Sequence, residues 1–287
     1  MNNFIYCFLT AFVIIFPHRS LATPSKYPPK TESRSILVYD LTFKRLNYAK
    51  NINSVYPIAS LTKLMTGIIS LQSHQPDHEI IKITKSDRDI LKHSASRLKV
   101  NSKLSRYSLL HIALMSSENR AASALSRHTP GGKTAFMKKM NQTALNYKMT
   151  RTHFHDPTGL SPSNVSTAHD LYLLVKHAVQ YPVIRKFTTD KITSANTGQV
   201  IIIYKNSDGL INNPRWNIKL QKTGYTNEAG HCLILMTKIK HHDYIIVILG
   251  SHSKYGHYAD AITLRNWLIR KKDNKLTIFK SVTLPYD

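Results

Sequence analysis

Ser60 and Lys63 stand three residues apart in Ser60-Leu61-Thr62-Lys63, a spacing that sets a hydroxyl and an amine on one face of a helix. A serine hydroxyl is a poor nucleophile until a neighbouring base removes its proton, and a lysine can do so only when its surroundings hold it neutral. Burial beside other cations can bring a lysine pKa to roughly 7–8, from about 10.4 when free. Two further triplets follow in order, Ser117-Glu118-Asn119 and Lys222-Thr223-Gly224, and Lys222 is expected to supply the neighbouring cation. Together the three describe a serine acyl-transfer site. The first motif alone specifies little, because Ser96/Lys99 and Ser251/Lys254 repeat its spacing. Only Ser60 is followed at long range by Ser-x-Asn and then by a Lys-Thr-Gly that occurs once.

The elements that must position these groups are legible in the flanking residues. Leu61, Leu64, Met65, Ile68 and Leu71 recur with a helical period, which places Ser60 in a first turn, where unsatisfied N–H groups and the helix dipole favour developing negative charge. Trp216 through Gln221 alternates apolar and polar residues as a half-buried strand does. Gly224 follows that strand without a side chain to obstruct a close backbone approach, and Lys222 and Thr223 can hold a carboxylate or a proton in transit.

Ser-x-x-Lys, Ser-x-Asn and Lys-Thr-Gly resemble the signature of penicillin-binding proteins and serine β-lactamases. The resemblance extends through Ala113 to Ala122, through Asp156-Pro157-Thr158-Gly159-Leu160 with Asn164 to Thr167, and through Trp216 to Cys232. These stretches are similar to the D-alanyl-D-alanine endopeptidases among the low-molecular-mass penicillin-binding proteins, from about Ser35 to Arg270. The resemblance implies Ser60 as the acylated nucleophile, Lys63 as its base and Ser117 as a proton relay to the leaving amine. It also implies Asn119 orienting the substrate amide and Lys63, Lys222 and Thr223 clamping a substrate carboxylate, and an oxyanion hole from the N–H groups of Ser60 and Tyr225 beside Gly224. It implies no metal and no cofactor. The partners it implies are peptidoglycan stem peptides, with β-lactam antibiotics as covalent inhibitors.

The chain has 287 residues and a formal net charge of +24. Phe4 to Phe16 is apolar and is followed by Ser20-Leu21-Ala22, which reads as a signal peptide over residues 1–22 and a periplasmic location. Met1-Asn2-Asn3 lacks the usual lysine or arginine, and an uncut run of this length would be short for a membrane span. Removing Arg19 with the signal leaves +23, which attraction to an anionic polymer or membrane surface explains better than nucleic acid, since the basic residues are scattered and accompany no nucleic-acid motif. Cys7 lies in the signal run, so Cys232, within an apolar strand, is left as a buried structural thiol with no intrachain disulfide. His153-x-His155-Asp156 lacks a third ligand and a glutamate base for a zinc site and reads as loop.

A polar, Pro-rich lead-in is expected over residues 23–34, flexible in character, then one catalytic domain over residues 35–272 and a tail over residues 273–287. A first hairpin spans Ser35–Tyr39 and Arg45–Tyr48. A helical middle runs from about Pro57 to Tyr181, with Leu109–His128 and Gly132–Tyr147 as its strongest helices. Strands return near Val200–Ile203, Ile218–Tyr225, His231–Ile239 and Tyr244–Gly250, with a turn at Lys240–Asp243, and a helix over Tyr258–Arg270 closes the domain. This order predicts an α+β fold in which both ends return to one antiparallel sheet. The resemblance implies the same fold, of the serine β-lactamase and DD-peptidase type, an antiparallel sheet flanked by helices with a helical subregion. Lys271 to Asp287 has no room for a further β-rich domain or an amphipathic anchor, so at most loose membrane association is expected. Peptide cross-link cleavage and terminal D-alanine trimming both suit such a site. The absence of any Glu between Arg120 and Asn227 disfavours a β-lactamase, and an intact set of motif residues argues against a non-catalytic peptidoglycan-binding module.

Overall fold

The computed structural model describes residues 28–271. The expected signal peptide with Cys7, the first part of the lead-in and the tail over residues 273–287 lie outside the described residues. Five strands form the main sheet: β1 (Ser35–Asp40), β2 (Arg45–Lys50), and later β9 (Asn217–Thr226), β10 (Gly230–Ile239) and β11 (His242–Ser251). They are antiparallel throughout, in the order β2-β1-β11-β10-β9, so both ends of the described chain meet at the β1–β11 pairing.

The strand sequences explain why the sheet is covered on both faces. Apolar residues occupy consecutive positions, and successive side chains point to opposite sides. Ile36, Val38, Leu233, Leu235, Ile246 and Ile248 pack with Ala261, Leu264, Trp267 and Leu268 of the last helix, α7 (Gly256–Arg270). Leu37, Tyr39, Ile234, Met236, Ile245 and Val247 belong instead to the larger core shared with the other helices. Those helices are α1 (Lys63–Gln72), α2 (Arg106–Met115), α3 (Asn119–Arg127), α4 (Gly132–Asn146), α5 (Ala168–Ala178) and α6 (Pro182–Thr189). The observed architecture is the expected α+β one, an antiparallel sheet with helices on both faces.

Three local differences from the sequence reading bear on the site. The helix expected over Leu109–His128 is broken, with α2 ending at Met115 and α3 beginning at Asn119. Ser117 sits in the left-handed region at φ 63° in the break, and the N–H groups of Ser116 and Glu118 both bond the Ile112 carbonyl. The break carries neither Gly nor Pro, so the usual punctuation is missing. The helical middle also contains short ladders: β3 (Tyr56–Pro57) pairs with β6 (Val165–Ser166), and β4 (Ile80–Lys82) with β5 (Lys103–Ser105). The strand expected near Val200 is β8 (Ile201–Lys205), and it pairs with β7 (Ile192–Asn196) in a separate hairpin.

Within the lead-in expected over residues 23–34, Thr31 to Ser33 are hydrogen-bonded to the folded chain. The N–H groups of Glu32 and Ser33 donate to the Asp260 carboxylate on α7 at 3.1 and 2.8 Å, and Lys50 Nζ on β2 donates to the Thr31 carbonyl. A composition rich in Pro and polar residues does not reveal a carboxylate more than two hundred residues away.

Candidate active site

Ser60 lies in a 3-10 turn, Ala59–Thr62, that leads into α1 rather than in the α-helix itself. The turn is strained and locked. Ala59 takes a positive φ of 46°, and Gly159, at φ 85°, fits so closely beneath it that a Cβ there would stand 1.9 Å from the Ala59 carbonyl oxygen. Such backbone is held only where its surroundings over-determine it. Here they do: Thr62 Oγ1 donates to the Ala59 carbonyl at 2.8 Å, and Asn164 Nδ2 donates to Thr62 Oγ1 at 3.0 Å.

Lys63, one turn on, is buried and its Nζ has three partners. It lies 2.8 Å from Ser60 Oγ, 2.7 Å from Asn119 Oδ1 and 2.7 Å from the Thr158 carbonyl. Burial brings its pKa down to about 7, against the pull of the Asp156, Glu118 and Asp89 carboxylates. An amine at that value is neutral often enough near neutral pH to accept a proton from Ser60.

Lys222 approaches from the sheet. It is buried on β9, its Nζ donates to the Thr223 carbonyl at 2.9 Å, and burial followed by the charge of Lys63 pushes it well below an ordinary lysine. Burial is the leading cause at Lys63, and the charges of Lys63 and Lys222 oppose each other.

Strand β9 is an edge, paired only with β10, and its Lys-Thr-Gly segment abuts the Ala59–Thr62 turn. A Cβ on Gly224 would meet Ser60 N at 3.0 Å, the Ile58 carbonyl at 3.1 Å and Ala59 Cβ at 3.2 Å. A side chain there would press on the protein's own backbone, which would have to give by a few tenths of an ångström. Thr223 Oγ1 donates to Ser207 Oγ at 2.8 Å, and Ser207 N donates to the Met115 carbonyl at the end of α2. Tyr225 is exposed, stacked on His231 at 4.2 Å between ring centres.

The broken helix supplies the third wall. Asn119, first residue of α3, accepts from Lys63 through Oδ1 and donates through Nδ2 to Ser94 Oγ at 2.9 Å. Ser117 is half-buried at the tip of the break and is hydrogen-bonded to neither Ser60 nor Lys63. Beside Asn119 a cavity of about 140 Å³ opens between residues 86–91, Ser123, Lys133 and the Asp156–Leu160 turn.

Two supporting segments were not assigned roles from the residues. Asp156 Oδ1 accepts the N–H groups of Thr158 and Gly159 at 2.6 and 2.8 Å, and Oδ2 accepts that of Ser161 at 2.8 Å. Asn164 closes the same loop onto Thr62, which presents the Thr158 carbonyl to Lys63. A short Asp-x-x-Gly is a turn signal, but nothing local says which amine the turn faces. The other segment, residues 88–98, brings Ser94 to Asn119 and Ser96 to Glu118, the latter at 2.7 Å.

His153 and His155 are exposed, and among the described residues no group of three or more His, Cys, Asp or Glu is placed to hold a metal ion. Cys232 is buried on β10, and burial pushes its thiol up to about 12, which leaves it inert as a nucleophile.

The sequence model of the D-alanyl-D-alanine carboxypeptidases matches residues 22–253. The chain belongs to that family. Within it, a D-alanyl-D-alanine endopeptidase of Pseudomonas aeruginosa is 42% identical over 272 residues, covering 91% of this chain and 88% of the relative. A D-alanyl-D-alanine endopeptidase of Escherichia coli is 40% identical over 253 residues, covering 87% and 81%. Among solved structures, a penicillin-binding protein of Listeria monocytogenes in its cefotaxime-bound form superposes with a TM-score of 0.74 at 26% identity, covering 84% of this chain and 99% of that one. The chain is a serine D-Ala-D-Ala peptidase, a hydrolase.

Proposed function

We propose that this peptidase is a D-alanyl-D-alanine endopeptidase that hydrolyses peptide cross-links of peptidoglycan through an acyl-Ser60 intermediate, in cell-wall remodelling. The observation that carries the reading is the Lys63 amine, buried, with a pKa of about 7 and 2.8 Å from Ser60 Oγ.

Lys63 in its neutral form takes the Ser60 proton as Oγ attacks the D-alanine carbonyl carbon. The backbone N–H groups of Ser60 and Tyr225 receive the oxyanion, each such donor being worth about 2.7–4 kcal/mol of barrier. As the C–N bond breaks, the proton passes from Lys63 to the leaving amine with Ser117 as relay. Ser117 is not hydrogen-bonded to Lys63 in the free enzyme, so the relay forms with substrate in place. Water then attacks the ester carbonyl, gives its proton to Lys63, and Ser60 leaves with a proton restored. Asn119 spends Oδ1 on Lys63 and one N–H on Ser94, which leaves its second N–H for the substrate amide. Lys222 and Thr223 receive a substrate carboxylate.

β-Lactams enter the same path as covalent inhibitors, since their strained amide is presented to Ser60 like the D-alanyl bond. The signal-peptide pattern over residues 1–22 and the charge of +24 support a periplasmic enzyme drawn to an anionic polymer. No described helix is long and apolar enough to cross a membrane. The test is mass spectrometry of a cross-linked muropeptide dimer and a monomeric pentapeptide after incubation with the protein, beside Ser60→Ala. The reading predicts dimer converted to monomers by the wild type alone. Loss of one D-alanine from the pentapeptide with the dimer intact would make the enzyme a carboxypeptidase instead.

A further inference from the structure

Three consecutive residues around the start of α3 are each held by the segment over residues 88–98, which no motif marks. Ser96 Oγ donates to Glu118 Oε1 at 2.7 Å, Asn119 Nδ2 donates to Ser94 Oγ at 2.9 Å, and Arg120 Nη1 donates to the Leu98 carbonyl. The segment is itself built on Asp89. Its Oδ1 accepts the N–H groups of Leu91 and Lys92 at 2.8 and 3.0 Å, and its Oδ2 accepts that of Ser94 at 2.8 Å. The Ser94 hydroxyl also hydrogen-bonds this carboxylate. A carboxylate only accepts, so the Ser94 oxygen is left to face Asn119 as an acceptor.

The direction of the Asn119 amide matters because its two ends are chemically opposite and a half-turn exchanges them. With Oδ1 2.7 Å from Lys63 Nζ, the neutral amine gives one N–H to Asn119 and the other to the Thr158 carbonyl at 2.7 Å. Its lone pair is then left for the Ser60 hydroxyl at 2.8 Å, as a general base requires. Turned over, the amide would donate to Lys63 and compete with Ser60 for that lone pair, and the N–H offered to the substrate would leave its place.

We propose that Ser94 is the positioning residue of Asn119: its hydroxyl holds one amide N–H, which turns Oδ1 to Lys63 and leaves the other N–H facing the amide of the substrate. The inference rests on the reading above, in which Asn119 meets the substrate amide. Ser94 acts through Asn119 alone. Without its hydroxyl the Asn119 amide turns, and ligands that carry an amide at this place suffer more than ligands that do not.

The experiment follows acylation of Ser60 in the full-length protein by intact mass at about pH 7.5, using benzylpenicillin, which carries a side-chain amide, and 6-aminopenicillanic acid, which has an amine in its place. Ser94→Ala brings the ratio of the two rates down about tenfold, the size expected of one lost hydrogen bond. Ser94→Thr keeps the hydroxyl and holds the ratio within about threefold of wild type. Ser94→Val, with the shape of threonine and no hydroxyl, repeats the alanine result and replaces it should Ser94→Ala not fold. In an Asn119→Ala background, Ser94→Ala leaves the ratio where it was, as two members of one contact require. A ratio in Ser94→Ala within about twofold of wild type, equal slowing of both compounds, or a Ser94→Thr protein as impaired as Ser94→Val overturns the proposal, since a merely structural residue would not separate the two ligands. A wild type that neither compound acylates removes the reading beneath the proposal, and the proposal with it.

Discussion

Lys63 and Lys222 are both sealed from solvent, yet the helical wall surrounds the first with acceptors while the sheet leaves the second almost bare. Lys63 has Ser60, Asn119 and Thr158 within hydrogen-bond distance and three carboxylates acting on it. Lys222 has one carbonyl and one carboxylate. Burial alone would push both amines far down, and the three carboxylates around Lys63 oppose that fall. The helical side halts Lys63 at about 7, where it can pass a proton in either direction. On the sheet side burial, and then the charge of Lys63, push Lys222 well below an ordinary lysine.

That contrast breaks most visibly on substitution of the amines. Lys63→Ala is expected to slow acylation by a fluorescent penicillin about 10²–10⁴-fold, the range of a lost general base. Lys222→Ala slows the same probe but leaves an ester lacking the carboxylate much less affected, which stopped-flow comparison of the two probes checks. A Lys222→Ala protein that loses both equally would erase the distinction between the walls.

Gly224→Ala comes next. Its Cβ would press on Ser60 N and the Ile58 carbonyl at 3.0 and 3.1 Å, which displaces the nucleophile turn from β9. Acylation is expected to fall about 10²-fold, as small misplacements at a reacting centre do, with the circular dichroism spectrum unchanged.

Asp156→Asn sharpens the account of Lys63. The Asp156 charge raises the Lys63 pKa, so its removal lowers that pKa further and moves the acid limb of the acylation rate to lower pH. The same change sets an amide opposite backbone N–H groups that Asp156 now accepts, which costs about 1–3 kcal/mol of stability in a denaturant melt. An acid limb that moves upward would contradict the assignment of that limb to Lys63.

The smallest effect is expected at Lys92 and Glu228, which pair at the surface. Lys92→Ala should change the melting free energy by less than about 1 kcal/mol, as exposed pairs do, and leave acylation near the wild-type rate.

What the residues disclosed divides along the same lines. The sheet was legible because strands buried on both faces read as apolar runs, and Ser35–Tyr39, Ile218–Tyr225 and His231–Ile239 lie within β1, β9 and β10. The break before Asn119 was not, because Ser116, Ser117 and Glu118 are acceptable in a helix, and the groups that bond the flanks of the left-handed turn, Ser207 N on the Met115 carbonyl and Ser96 on Glu118, come from distant segments. The three triplets announced an acyl-transfer site through residue type and spacing. Their supports stayed hidden, since Asn164 to Thr62 spans 102 residues and Ser94 to Asn119 spans 25. Ser207 carries no motif at all, and only the path of the chain along β9 brings it to Thr223.

The measurement that tests the central claim most directly is the pH dependence of acylation by a fluorescent penicillin, with the adduct located by peptide mass. The account predicts an adduct on Ser60 whose rate of formation rises through about pH 7 as Lys63 becomes neutral, and is nearly lost in Lys63→Ala. An adduct elsewhere, or a rate that climbs only towards the ordinary lysine range near 10.5, would contradict it.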